Sequence, residues 1–341
     1  MNEHGSAGGA FVTALAAEFL RKIILFLIKA AVTAGLIWFV LRSQDLTVLG
    51  ERLLDISPLT VAAAIALLAG QNVIAAQRWV VVMQYFGRAL PYRTALRFFF
   101  EGLFFNQALP STVGGDGVRM YRAVTAGLPI AAGVNGVLLD RIAGLVGLLT
   151  IVLLTQPWFY ARVEDMTARL AFAVVITVGV IGVSLLILCR RLPEDWSKWR
   201  VIGGLMGLSE GVGALFCRGD IALPVFAISI GGHLMMVSAI FILASDLDLS
   251  VTFLDCLVLI PGVMLLASVP ISIAGWGVRE AVMVAAMGLL GVATDEATSL
   301  SLVYGLSMVV IGLIGGVLWF ANSDRRVRVK ELTASPASAG D

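Results

Sequence analysis

The chain has 341 residues, of which 59% are hydrophobic and only 14% charged, with a formal net charge of +1. A water-soluble domain of that length cannot cover so much apolar surface with so few charges, so the composition excludes one and identifies an integral membrane protein. The balance holds no basic excess that would suit a nucleic acid, and no nucleic-acid partner is expected.

Residues 1–22 are mixed and polar, close with Arg21 and Lys22, and read as a cytoplasmic tail. The apolar run 23–41 follows. It is too long for the core of a cleaved signal peptide and is succeeded by Arg42, Ser43, Gln44 and Asp45 instead of a small-residue cleavage site, so it reads as a retained anchor. Further apolar stretches lie at 58–77, 131–155, 170–189, 221–244, 252–273 and 298–320. Each is near the roughly 20 residues a helix needs to cross the hydrocarbon core. Arg78 and Trp79 close the second stretch and read as an interfacial anchor. The runs 95–109 and 280–291 are too short or too polar for comfortable spans. Backbone groups find no water in lipid, so these must be helical or buried against protein. Residues 322–341, basic and then rich in Ser, Ala and Pro, read as a disordered cytoplasmic tail. Basic residues gather before the first span, after the second, between 190 and 218 and after the last. Acidic residues gather at the alternate turns, which places both termini in the cytoplasm. Cys189, Cys217 and Cys256 are widely separated, and neither a disulfide framework nor a metal site nor any cofactor is expected. His233 stands alone in an apolar helix and reads as a packed, hydrogen-bonding residue.

One pattern occurs twice. Pro110, Gly115, Gly117, Val118 and Arg119 sit in PSTVGGDGVR; Pro270, Gly275, Gly277, Val278 and Arg279 sit in PISIAGWGVR. A shift of 160 residues (110 to 270) carries 58–77 onto 218–237 and 131–155 onto 291–315, both largely apolar. With the termini inside, 94–130 leaves and returns to the cytoplasmic face and 250–296 leaves and returns to the outer one. The expected fold is therefore an all-α polytopic bundle with two inverted repeats, about 23–155 and 170–320, and two re-entrant or broken helical hairpins.

The chemistry-bearing residues cluster at these breaks. Glu101 lies among Phe and Leu, where a carboxylate is costly unless it meets a wet cavity or a cation. Asn106 leads into Pro110, which ends the helix for want of an amide hydrogen. Gly114, Gly115 and Gly117, with Gly275 and Gly277 in the second copy, let backbone approach a ligand or another helix. Arg119 and Arg279, beside helix N-terminal amides, are candidate phosphate clamps. Asp116 lies one turn before Arg119, and a simple Asp–Arg pair closing the loop is the alternative to a binding site. Glu280 could neutralise Arg279 when the site is empty. Asp140 and Arg141 interrupt an apolar helix and point about 100° apart, so they should pair across the bundle: Asp140 with Arg119, and Arg141 with Glu101. Glu101 and Glu280 are candidates for coupling lipid movement to a proton, or for static ion pairs.

The strings FFNQALPSTVGGDGVRMYRA (104–123), LLDRIAGL (138–145), VPISIAGWGVREA (269–281) and Arg78–Trp79 resemble the lysylphosphatidylglycerol synthase transmembrane-region family, also described as flippase-like. The resemblance runs from about residue 20 to 320. It implies movement of an anionic or polyprenyl- or hopanoid-type lipid between the leaflets of a bacterial inner membrane. The lipid-aminoacylating members carry a soluble transferase domain after the membrane part. Here about 20 residues follow the last span, too few for a folded domain. With no nucleophile–base pair or phosphate loop elsewhere, an enzyme is not expected. A membrane subunit of a separately encoded lipid-modifying enzyme and a carrier of a small anionic solute are the other readings.

Overall fold

The computed structural model describes residues 24, 27–42, 46–85, 90–109, 114–269 and 272–321. The tails at 1–22 and 322–341, and Pro110 and Pro270 at the two breaks, lie outside these residues. Among the described residues the secondary structure is entirely helical. Helix α1 spans Leu27–Leu41. It is followed by α2 (Leu46–Asp55), α3 (Pro58–Tyr85), α4 (Tyr92–Ala108), α5 (Gly114–Thr125), α6 (Ile130–Leu154) and α7 (Gln156–Arg162). Then come α8 (Met166–Leu188), α9 (Arg200–Cys217), α10 (Gly219–Asp246), α11 (Phe253–Ala267), α12 (Val278–Gly288) and α13 (Thr294–Ala321).

By length and composition α3, α6, α8, α10 and α13 can each cross a bilayer, and the chain is a multi-pass membrane protein. Helix α11 is shorter than the apolar stretch 252–273 suggests. Its 15 residues rise about 22 Å, less than the roughly 30 Å hydrocarbon core, so it is one arm of a broken hairpin with α12. Polar side chains set where these helices start. Asp165 accepts from the Ala168 amide ahead of α8, and Thr252 and Asp255 form a reciprocal capping box ahead of α11.

The packing maps onto itself when α3–α6 is exchanged with α10–α13. Helix α3 lies along α10; α4 packs on α13 as α11 packs on α6; α4–α5 is matched by α11–α12, and α5–α6 by α12–α13. Equivalent helices run in opposite directions. The N-terminus of α3 meets the C-terminus of α10, where Asp246 accepts from the Ser57 amide at 2.7 Å and the Thr60 hydroxyl at 3.0 Å. Arg52 on α2 reaches Asp295 at the start of α13 at that same end, and Arg162, just after α6, pairs with Asp255 at the start of α11. The contacts thus treat as equivalents the helices that the motif offset pairs, α3 with α10 and α6 with α13. The α4–α13 contact depends on a small residue: a Cβ on Gly315 would lie 1.8 Å from the Phe100 carbonyl oxygen. Helix α8 buries none of its residues and lies at the periphery, as an all-apolar helix can only in lipid.

Candidate functional site

Among the described residues nine charged side chains are buried, and every one has a partner of opposite sign. Glu101 on α4, fully buried, accepts a two-point contact from Arg122 on α5 at 2.6 and 2.9 Å. Arg97 approaches the same carboxylate at 3.7 Å. The fork geometry suits a carboxylate, and the low dielectric makes the pair hard to break. Arg141 therefore does not pair with Glu101. Both Glu101 oxygens are taken by Arg122, one helical turn beyond Arg119, and Arg141 meets Asp116 instead.

Around Asp140 on α6 a chain of charges forms. One oxygen of Asp140 accepts from Arg78 at 2.8 Å and the other from Arg119 at 2.8 Å, as expected for Arg119. Arg119 also reaches Asp116 at 3.4 Å, and the second Asp116 oxygen accepts from Arg141. Arg119 is enclosed by aromatic faces, its guanidinium carbon 4.3 Å from both the Trp79 and the Phe99 ring centres. Arg78 further donates to the Ser229 hydroxyl on α10 at 3.2 Å. The interfacial-anchor reading of Arg78 and Trp79 is thus overturned. Helix α3 continues to Tyr85, Trp79 is fully buried, and a charge that deep is tolerable only because Asp140 faces it.

In the second hairpin Arg279 pairs with its neighbour Glu280, Nε at 3.0 Å from Oε1. The other Glu280 oxygen accepts from the Gly277 amide, and Ser301 on α13 donates to Oε1 at 3.4 Å. Trp276 and Tyr304 cover the guanidinium at 4.6 and 5.4 Å. His233 donates from Nε2 to the Gly144 carbonyl oxygen, 2.9 Å away, as a packed histidine would.

Residues flanking the two breaks line one cavity of about 340 Å³, whose wall mixes polar groups with apolar side chains such as Leu103, Leu138 and Leu145. Asn106, Gln107, Asp116 and Arg141 line it from the first half, and Ser268, Ala274 and Met308 from the second. Asn106 also accepts from the Gly115 amide at 2.8 Å and ties the ends of α4 and α5 together. Arg141 is the exposed cation of the group, 44% accessible against 5% for Arg119. A smaller cavity of about 210 Å³ adjoins at Arg141 and Ser268, and is lined by Gln71, Asn72, Arg78, Ser229 and His233.

Residues 26–316 match the family described as Lysylphosphatidylglycerol synthase TM region. The chain belongs to that family. No curated protein matches it. Within this family fold, the structure brings Asn106, Asp116, Arg141 and the second break together at the cavity, with Arg119 and Asp140 directly behind. Arg279, Glu280 and Glu101 do not line it. Gly115 and Gly277 serve helix packing: a Cβ on Gly115 would lie 2.0 Å from the Gly102 carbonyl oxygen, and one on Gly277 would lie 2.6 Å from Leu36 Cβ. At Gly114 the neighbour is Leu109, at 2.9 Å, and around Gly117 there is open space. Gly275 is needed for its positive φ of 79°. Sequence reasoning missed Arg122, Arg78, Gln71, Asn72, Gln107, Ser229 and Ser268. The first four carried a signal, a polar side chain inside or beside an apolar run, whereas a serine in a membrane helix carries none because it can bond its own backbone, as Ser229 does to Val225 at 2.8 Å.

Proposed function

We propose that this protein carries an anionic membrane lipid between leaflets, with the head group passing through the cavity at Arg141. The observation behind this reading is the place of Arg141: its guanidinium, 44% accessible, lines a cavity shared by the two hairpins together with Asn106, Gln107 and Ser268. A cation and neutral hydrogen-bonding groups on the wall of a cavity inside a membrane protein suit an anionic ligand. A phosphodiester head group is one. Arg119 and Arg279, sealed by ion pairs and rings, position the wall on this reading and do not clamp the phosphate themselves. The charge asymmetry of the loops supports cytoplasmic placement of both termini, and a bacterial inner membrane is the setting this reading takes.

The test is leaflet-to-leaflet movement of fluorescent phosphatidylglycerol in phosphatidylcholine vesicles carrying the protein. Transport well above protein-free vesicles is expected for phosphatidylglycerol, slower transport for a phosphatidylcholine probe, and at least a tenfold loss for Arg141→Glu. Equal rates for the two head groups, or full activity in Arg141→Glu, would overturn the reading. Efflux of inorganic phosphate from the same vesicles, without lipid movement, would show a small-anion carrier instead.

A further inference from the structure

A third cavity bears on what kind of molecule the site holds. It is an apolar groove of about 440 Å³ between α6, α8 and α11, and it opens toward lipid because α8 is peripheral. Its wall is nearly all hydrocarbon: Val146, Leu149, Val178, Gly182, Leu186 and Leu266. Two residues, Leu145 and Ser268, line this groove, the Arg141 cavity and the smaller polar cavity alike. All three spaces therefore meet at one point, one helical turn along α6 from Arg141. Gly182 leaves the groove floor open, since a Cβ there would touch nothing within 4 Å.

Building on the transport reading above, we infer that the groove holds the hydrocarbon chain of the same lipid whose anionic head group lies against Arg141. The substrate then enters sideways from the bilayer, between α6 and α8, keeping its chain in an apolar environment throughout. A chain in water would lose about 0.8 kcal/mol for each CH₂ exposed, so only a route with a continuous apolar side lets a long-chain lipid use a polar cavity. A small solute would need no such groove. Helix α8 is anchored to the body near its ends, through Phe172 on Phe159 and through Leu186, while Val174 and Val178 between them stay exposed beside the groove.

Photo-crosslinking in phosphatidylcholine vesicles tests the assignment, using phosphatidylglycerol and phosphatidylcholine probes that carry a diazirine at the end of one acyl chain. Adducts on Val146, Val178 and Leu266 should be several-fold more abundant with the phosphatidylglycerol probe. Unlabelled phosphatidylglycerol should displace them, while adducts on the exposed α13 residues Leu313 and Val317 should be the same for both probes. Gly182→Trp, whose Cβ has open space around it, should fill the groove, remove the head-group preference at Val146 and Leu266 and slow phosphatidylglycerol transport at least tenfold. Head-group-independent labelling of the groove would show that it holds only bulk lipid and would overturn the inference. Normal transport by Gly182→Trp would do the same. If the unmodified protein moves phosphatidylglycerol while either of these results is obtained, the transport reading stands and only the chain site fails; if it moves none, the transport reading itself has failed.

Discussion

The two hairpins carry the same motif and solve its electrostatics differently. In the first, the Arg of the motif is tied to a carboxylate on another helix, so that α3, α5 and α6 are held by one chain of charges from Arg78 through Asp140, Arg119 and Asp116 to Arg141. In the second, Arg279 is answered by the adjacent Glu280, and the place of Asp116 is taken by Trp276, an uncharged ring over the guanidinium. The first hairpin meets the cavity at Asn106 and Asp116; the second meets it at Ser268 and Ala274 and also packs against α1, where the Thr33 hydroxyl accepts from the Ile273 amide at 2.9 Å. Repetition of a backbone shape thus leaves room for specialisation. One copy spreads its ion pairs over three helices beside the cavity, and the other is neutral within two residues.

That difference is broken most severely at Asp140. Asp140→Asn keeps the shape but leaves Arg78, Arg119 and Arg141 against Asp116 alone, and removing one member of a buried ion pair costs about 3–5 kcal/mol. Glu280→Gln leaves a single guanidinium, still covered by Trp276 and Tyr304, with an amide oxygen able to accept from Gly277. It too breaks a buried ion pair, and its expected cost lies at the lower end of that range, about 3 kcal/mol, because one guanidinium loses its carboxylate where Asp140→Asn deprives two. Thermal unfolding of the two variants in one detergent should give the larger drop for Asp140→Asn. Equal drops would mean that the hairpins are electrostatically equivalent after all.

The next effect concerns packing. Gly115→Ala drives a methyl into the Gly102 carbonyl oxygen, a backbone atom that cannot swing aside, so α4 and α5 must separate. Overpacking of this kind costs about 1–3 kcal/mol. Gly277→Ala meets Leu36 Cβ at 2.6 Å and must also adopt a φ of 83°, for which a side chain adds about 1–2 kcal/mol. Both should lower the unfolding temperature, but only Gly115→Ala should also disturb transport, because it shifts Asn106 and Asp116 at the cavity. Normal transport by a destabilised Gly115→Ala protein would contradict the assignment of these residues to the cavity wall.

Much of this architecture is legible in the chain. The long apolar runs at 131–155 and 221–244 become α6 and α10, and the offset between Pro110 and Pro270 finds the repeat that the packing displays. Periodicity carries that information because lipid forces every backbone group into a helix. The pairing of charges is less legible, as Arg141 shows. Which carboxylate it meets depends on how α5 is rotated against α4 and α6, and that rotation is set by Gly115 and Gly102 in close contact, not by spacing along the chain. Arg78 was misread for a related reason. At the end of an apolar run an Arg beside a Trp has the composition of an anchor, and only the approach of Asp140 from α6 reveals a buried partner. The polar lining from Gln107 and Ser268 is a product of tertiary fit and leaves almost no trace in sequence.

The smallest effect separates the two copies at a single motif position. Gly117 and Gly277 occupy the same place in the repeat, yet Gly117 lies within helix α5 with open space where a Cβ would go, while Gly277 precedes α12 in a left-handed conformation against α1. Glycine in a helix is less favourable than alanine by about 1 kcal/mol, from the freedom the unfolded chain gives up. Gly117→Ala should therefore raise the unfolding temperature slightly, by up to about 1 kcal/mol of stability, in contrast to the loss at Gly277. Thermal unfolding of Gly117→Ala and Gly277→Ala side by side decides the matter, with phosphatidylglycerol transport as the second readout. If Gly117→Ala is stabilising and transport is unchanged, that glycine serves neither packing nor head-group contact. If it is stabilising but transport falls, the open space beside it is used by the lipid, and the first hairpin approaches its ligand through backbone as well as through Arg141.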